Sequence, residues 1–387
     1  FAVIVPAHNE ERVIVDSIES LLRSRNKDFE IVVIDDGSTD RTYDVLHEAF
    51  GRHPRVRLLT KRNGGKSSAL NYAIEQTDVE VVVCIDADTR LAPDALAILL
   101  AHFHDGKVGA VAGVVTVGNR STMLSRFQAL EYLTAQSMDR RAFEIVNGIA
   151  VVPGAIGAWR RCALMDVGLY DSDTAAEDAD ITFKIARAGW LVRNEPRALA
   201  VTEAPEKVRE FNKQRFRWMF GMIQVAFKHR DVYLQRGAHG LKWFTIPNIV
   251  VFQFVFTLFA PIMDALLIGT LISDAWAHAH HGGSFLSERT IEILVYWGVF
   301  QVLELAFAAV ALWLHREPGN WRLLPLTVLQ RFYYRQLIFW ISLRTLFAVL
   351  CGHFTGWGRA KRLGLPSLAR LPAPPPPVAA PTLQAAE

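Results

Sequence analysis

Two long stretches almost free of charge constrain this chain more than any other feature. Trp243 to Ile272 carries Asp264 as its one charged residue, and Ile291 to Leu314 carries only Glu292 and Glu304. At 1.5 Å rise per residue, each is long enough as a helix to cross a hydrocarbon core of about 30 Å. A third apolar stretch, Leu323 to Leu350, includes Arg331, Arg335 and Arg344, so it reads as membrane-embedded, by a span or by a re-entrant or interfacial path. Asp264, Glu304, Arg331 and Arg335 would be costly facing lipid; they either line a polar conduit or pair with one another. Ser273 to Arg289, with His278, His280 and His281, reads as a solvated extracytoplasmic loop, since no Cys or carboxylate is spaced to complete a metal site.

The N-terminal half has a different character. Short apolar runs alternate with helical patterns: Ala2 to Val5, Glu30 to Ile34, Val56 to Leu59, Glu80 to Ile85 and Val108 to Val117 read as strands, and Glu11 to Leu22 and Ser67 to Ile74 as helices. Fully apolar strands belong to a mostly parallel sheet covered on both faces. Polar residues cluster just after the strand ends, where open α/β sheets bind ligands. The near balance of 42 basic and 39 acidic residues argues against a dedicated nucleic-acid binder. Three scattered cysteines, Cys84, Cys162 and Cys351, build neither a disulfide framework nor a CxxC metal pair.

The expected organisation is a soluble α/β domain over 1–205, an amphipathic segment over 206–240, a membrane domain over 241–358 with two to three spans, and a basic, then Pro/Ala-rich tail over 359–387. The opening at Phe1, directly into an apolar run, reads as a boundary within a longer protein. Lys207 to Arg230 mixes aromatic and basic residues, as a helix lying in a membrane interface does; a core helix of the soluble domain is the alternative. Basic residues at Arg316 to Arg322 place that loop and the α/β domain in the cytoplasm, whereas a spanning third segment would put Arg359 to Arg362 outside, against the positive-inside rule.

Several constellations carry chemistry. Asp86-Ala87-Asp88 follows an apolar strand, and carboxylates so spaced can converge on Mg²⁺ or Mn²⁺ together with phosphate oxygens. Asp35-Asp36-Gly37-Ser38 ends the second strand, where an acidic residue can bind a base or ribose; a helix cap with a Gly turn is compatible with that. Asn63-Gly64-Gly65-Lys66 precedes a helix, which favours phosphate, and the spacing is not that of a Walker A loop. Glu177 and Asp178 open a helix, as dipole complements or with one carboxylate as general base. On the amphipathic segment Gln214, Arg217 and Trp218 share a side by i, i+3, i+4 spacing, suited to a phosphate clamp and a sugar-stacking face.

Taken in order, these motifs resemble the processive, membrane-integrated family 2 glycosyltransferases, a group that includes bacterial poly-N-acetylglucosamine, chitin-oligosaccharide, hyaluronan and cellulose synthases. The matching residues are Val5-Pro6-Ala7-His8-Asn9-Glu10, Asp35-Asp36-Gly37-Ser38, Asn63-Gly64-Gly65-Lys66, Asp86-Ala87-Asp88, Glu177-Asp178 and Gln214-Arg215-Phe216-Arg217-Trp218. Val152 to Arg161 and Gly356-Trp357-Gly358 look most like the poly-β-1,6-N-acetylglucosamine branch, and Ala176 stands where the family usually has Thr. The resemblance implies a GT-A fold, a UDP-sugar donor, a divalent metal (Mg²⁺ or Mn²⁺) and inversion at the anomeric carbon. It implies Pro6, Glu10, Asp35, Asp36, Lys66, Asp86, Gln214 and Arg217 at the donor, Asp86 and Asp88 at the metal, Asp178 as catalytic base, and Trp218 and Glu177 at the acceptor. The expected partners are a polysaccharide acceptor, the bilayer and an accessory membrane subunit; the expected place is the plasma (inner) membrane, multi-pass, with the catalytic domain cytoplasmic. The rivals are a transferase adding one sugar to a lipid carrier, a synthase of cellulose or hyaluronan type using another UDP-sugar, and an inactive nucleotide-binding receptor.

Overall fold

The computed structural model describes residues 1–282, 284–315 and 318–352; the tail from 359 and Gly356-Trp357-Gly358 lie outside them. Strands β1 (Ala2–Ala7), β2 (Glu30–Asp36), β3 (Val56–Lys61), β4 (Val81–Cys84), β5 (Arg90–Leu91), β6 (Val108–Val117), β7 (Gly157–Arg160) and β8 (Leu191–Thr202) form one eight-stranded sheet. Its order is β3-β2-β1-β4-β7-β6-β8-β5. The pairs among β1 to β4 and β6 with β8 are parallel, while β7 runs antiparallel between β4 and β6, and β5 antiparallel to β8.

Period-two alternation sends successive strand residues to two separate cores. On one face Ile4, Val32, Ile34, Val82 and Cys84 pack with Leu70, Ala73 and Ile74 of α3 (Lys66–Glu75, the third helix after α1, Ile14–Leu22, and α2, Thr42–Phe50). On the other, Val3, Val5, Ile31, Val33 and Val83 pack with Ile14, Ile18 and Leu21 of α1 and Leu96 and Leu99 of α4 (Ala95–Leu100). Both faces are covered, which is why these strands carry no polar face. The motif residues therefore fall where the strands stop.

After β6 come α5 (Met123–Thr134), a widened π-turn at Ala135–Asp139, α6 (Arg140–Ile145) and, past β7, α7 (Arg161–Asp166), α8 (Glu177–Arg187) and finally α9 (Val208–Lys228). Helix α9 is built into the protein on both sides. Its Phe211, Phe216 and Phe220 share a core with Leu124, Phe127 and Leu130 of α5 and with Tyr334 and Ile341 further on. Arg215 locks this junction: it donates to both oxygens of Glu131 at 2.8 Å, to the Tyr334 hydroxyl at 3.2 Å, and lies 4.6 Å from the Trp218 ring centre. A bidentate arginine pair of this kind fixes angle as well as distance.

Among the described residues, two helices are long and apolar enough to cross a membrane: the continuous run Leu241–His281 and Glu288–His315. Phe252, Phe256, Ile268, Val295, Phe300 and Val302 all point outward, which a buried core helix would not do. The three histidines belong to the last turn of the first helix rather than to a loop, because the helical pattern continues through them to Gly282 at φ 69°. Leu323 to Leu350 is not one helix. It breaks into Leu326–Leu329 and a 17-residue helix, Tyr334–Leu350, about 25 Å long, with a turn between them. The charges of these segments pair with each other: Arg331 Nε, in that turn, with Asp264 Oδ1 at 2.6 Å, and Arg335 Nη2 with Glu304 Oε1 at 2.6 Å.

Candidate active site

Three loops interlock at the carboxyl ends of β1, β2 and β3. Asn9 sits in the left-handed region at φ 59°, which Asn tolerates, and its Oδ1 accepts the Thr39 N–H at 2.8 Å. Gly37, at φ 64°, lets the second loop pass so close to the third that a Cβ there would meet the Asn63 nitrogen at 2.7 Å. The Asp36 carboxylate, 2% exposed, accepts from Lys61 Nζ at 2.9 Å and from the Gly64 and Gly65 amides at 3.0 and 2.8 Å. Asp35 caps its own turn through the Ser38 amide and hydroxyl. The Glu10 amide donates to Thr42 Oγ1 at 2.8 Å. Thus Asp35 and Asp36 shape the loops from beneath, and Pro6 lines the adjoining cavity together with Lys66, Gly154, Glu177 and Asp178.

Gly65 hands the chain to α3, whose first residue is Lys66. The Lys66 ammonium lies 2.7 Å from Asp86 Oδ1 and 3.0 Å from Glu177 Oε1. Burial alone would pull this ammonium down; the carboxylates of Asp86, Glu177 and Asp178 outweigh burial and hold it well above the usual lysine range. Asp178 has the reverse balance. Burial and the neighbouring Glu177 push its carboxyl up to about 6, against the pull of Lys66. Its Oδ1 accepts the Ala179 N–H at 2.9 Å, and its Oδ2 faces the Gly154 N–H at 3.4 Å. Thr182 Oγ1 donates to the Asp178 carbonyl at 2.6 Å and accepts the Val152 N–H at 2.9 Å, so the start of α8 is tied to the loop before β7.

Helix α9 runs alongside the entry to α8. Gln214, Arg217, Gly221 and Gln224 share one stripe at helical spacing. Gly221 touches Ala176 so closely that a Cβ would lie 2.7 Å from the Ala176 Cβ, and Gln224 Oε1 accepts the Ala175 N–H at 2.9 Å. Ala176, where the motif usually has Thr, is thus the small half of a small-on-small contact. Gln214 Oε1 is buried with no hydrogen-bond partner among the described residues, a costly state that a bound donor group would relieve. Trp218 lies between Arg215 and Tyr132, whose ring is centred 6.2 Å away.

Asp88 is 7% exposed and faces Thr202 Oγ1 of β8 at 3.4 Å, and the Asp86 side chain is 36% exposed. The carboxylates of Asp86 and Asp88 are hard oxygen ligands, and Asp86, Glu177 and Asp178 together outnumber the charge of Lys66, which fits a divalent cation completed by phosphate oxygens. A second acidic trio, Asp171, Asp173 and Asp180, does not fit one: Lys228 Nζ already donates to all three, at 2.7, 2.7 and 2.9 Å. Two contacts escape sequence reasoning: the close approach of Gly154 to Lys66, inside a loop noted only for its resemblance, and the bond of Arg140 to β6, which no motif flags. The paired Arg160 and Arg161 serve the scaffold, Arg160 binding Glu80 at 2.5 Å and the Val108 carbonyl at 3.0 Å.

Comparison with known proteins bears on the family and the fold. The chain is 30% identical over 226 residues to poly-beta-1,6-N-acetyl-D-glucosamine synthase of Staphylococcus aureus (strain COL), covering 58% of this chain and 55% of that protein. It is 31% identical to the synthase of the same name from Staphylococcus epidermidis over the same shares. The chain therefore spans about half the length of the curated relatives it matches. In fold it is similar to a mannosyltransferase from Pyrobaculum calidifontis solved in complex with GDP-Man and Mn²⁺, with TM-score 0.59 and 22% identity over 86% of each chain. The fold is thus of GT-A type. A family model described as "Glycosyltransferase like family 2" matches residues 1–221, and the chain belongs to that family of sugar transferases.

Proposed function

We propose that the chain is an inverting, membrane-integrated transferase that moves N-acetylglucosamine from a UDP-sugar to a growing β-linked polysaccharide. The observation that carries this is the meeting of Asp178, Glu177 and Lys66 in one cavity at the sheet's carboxyl end, with Asp86 paired to Lys66. The interlocked loops of Pro6 to Glu10, Asp35, Asp36 and Asn63 to Gly65 hold the uridine. Lys66, Gln214 and Arg217 bind the diphosphate. Asp86 and Asp88 would hold Mg²⁺ or Mn²⁺, which when bound neutralises charge on the leaving diphosphate. Trp218 and Glu177 border the acceptor.

Asp178 takes the proton from the acceptor hydroxyl; that oxygen attacks the anomeric carbon as UDP departs from the opposite face. One displacement inverts the centre, so an α-linked donor gives a β-linked product. A carboxyl near 6 is ionised at neutral pH yet basic enough to accept the proton. The fixed cations Lys66 and Arg217 stabilise the growing negative charge without reorganising. The outward apolar faces of Leu241–His281 and Glu288–His315 support a bilayer setting, with the transferase domain on the cytoplasmic side, where nucleotide sugars are made. The match to synthases of poly-β-1,6-N-acetylglucosamine supports the choice of sugar. An accessory membrane subunit would dock on the helices, not on this site.

The test is Asp178→Asn in membranes supplied with a panel of labelled UDP-sugars. The expected outcome is polymer from UDP-N-acetylglucosamine with the native chain, loss of at least about 10²-fold in the variant, and UDP affinity unchanged within about threefold. Transfer at the native rate by the variant would remove Asp178 from the role of base.

A further inference from the structure

Strand β7 pairs with β6 only as far as Ala112, opposite Gly157. Beyond that point the β6 edge faces no strand, and two side chains from the π-turn and α6 replace one. Gln136 accepts the Val115 N–H at 2.7 Å and donates to the Val115 carbonyl at 2.8 Å. Arg140 Nη1 donates to the Gly113 carbonyl at 2.8 Å and to Gln136 Oε1 at 3.2 Å. Gly113 in turn donates its amide to the Ile156 carbonyl at 3.1 Å, at the end of the loop whose Gly154 abuts Lys66 and Asp178.

Arg140 is thus held by one nitrogen against Gly113, which is itself bonded to the loop that carries Gly154. Its Nε and Nη2 have no hydrogen-bond partner among the described residues. Burial draws the guanidinium down to about 10, while the carboxylates of Asp178 and Asp139 act in the opposite direction, so it lies within the field of the base. The side from which it arrives is informative. Apart from Gln214 and Arg217 of α9, the donor-side residues come from β1, β2, β4 and α3, whereas β6 stands two places beyond β4 in the sheet, roughly 10 Å away. A base that deprotonates an incoming hydroxyl has the donor on one side and the acceptor on the other.

We propose that Arg140 is an acceptor-binding residue, its free Nε and Nη2 edge donating to oxygens of the incoming saccharide and setting its hydroxyl against Asp178. This rests on the transferase reading above. A planar fork anchored at one nitrogen keeps its other donors fixed in direction, which a lysine ammonium does not. Loss of charge-assisted hydrogen bonds of this type corresponds to about 10- to 100-fold.

The experiment uses the full chain in membranes with UDP-N-acetylglucosamine labelled in the sugar, comparing native protein, Arg140→Ala and Arg140→Lys. Three quantities are read: UDP affinity, UDP released, and the ratio of polymer-bound to free sugar. Polymer from the native protein decides the transferase reading by itself. For Arg140→Ala the expected result is UDP affinity within about threefold of native and a polymer-to-free-sugar ratio lower by about 10- to 100-fold. Arg140→Lys, which keeps charge and one donor for Gly113, should retain UDP affinity and still show the lowered ratio. A native ratio in either variant overturns the proposal, since it leaves Arg140 as only a cap on the β6 edge. Should Arg140→Ala lose UDP binding through misfolding, the ratio in Arg140→Lys decides.

Discussion

Adding one methyl group at Gly154 isolates the Lys66 contact from everything else. A Cβ there would lie 2.4 Å from Lys66 Nζ and 3.4 Å from Asp86 Oδ1. An ordinary contact of about 3.5 Å requires the ammonium to retreat by about 1 Å. Its bonds of 2.7 Å to Asp86 and 3.0 Å to Glu177 then stretch beyond hydrogen-bonding length. Hydrogen bonds to charged groups contribute about 1.5–3 kcal/mol each, and a displacement near 1 Å of a positioning group can lower a rate by about 10²-fold. The obstructed atom is the tip of a flexible side chain, so the fold itself has room to adjust. Gly154→Ala should therefore lower kcat/KM for the UDP-sugar by about 30- to 100-fold, with a fall of several degrees in the unfolding midpoint as those bonds weaken. Steady-state UDP release and thermal unfolding measure the two. An activity within twofold of native would refute the argument that Lys66 must hold its present place.

Other expectations follow from the same contacts. The rate of transfer should fall on acidification with a limb near pH 6, as Asp178 takes up its proton, and Lys66→Met should move that limb upward because the cation opposing protonation is gone. Because the folded-state value of Asp178 lies above the ordinary 3.8, its contribution to stability is lost as pH rises through 6. Asp178→Asn should then raise the unfolding midpoint at pH 8 and change it little at pH 4. Gly221→Val should wedge α9 away from the 175–176 turn, costing about 1–3 kcal/mol by overpacking and lowering activity with it, as unfolding and UDP-release assays would show. Chelating divalent cations should abolish UDP release from the sugar donor, and adding back Mg²⁺ or Mn²⁺ should restore it.

The legible part of this protein was the part written in local pattern. Ala2 to Val5, Glu30 to Ile34 and Glu80 to Ile85 are apolar because helices cover both faces, and each run points to the polar residues at its end. Strand β8 was illegible for the opposite reason. Asn194, Glu195, Pro196 and Arg197 interrupt it where it bulges against β6, so no period of two survives. Strand β7, Gly157–Arg160, is too short and small-residued to announce itself. The Gln214 to Trp218 motif was visible, but not its division of labour: Arg215 turns to Glu131 and Tyr334 as an internal brace, while Gln214 keeps a buried Oε1 without a hydrogen-bond partner among the described residues. The roles of Gly154 and Arg140 depend on loops meeting at sequence separations of 24 to 88 residues, which no local spacing encodes.

The charges among the long apolar segments show the same limit. A sequence shows that Asp264, Glu304, Arg331 and Arg335 need company, but not whose. In the folded chain they find each other, Arg331 with Asp264 and Arg335 with Glu304.

The account stands most directly on the stereochemistry of the transferred sugar. Nuclear magnetic resonance of the polymer formed from UDP-N-acetylglucosamine labelled with carbon-13 at the anomeric position reads that configuration at every new linkage. A single displacement assisted by Asp178 predicts β linkages throughout. α linkages would require a different pathway through this cavity and would contradict the assignment.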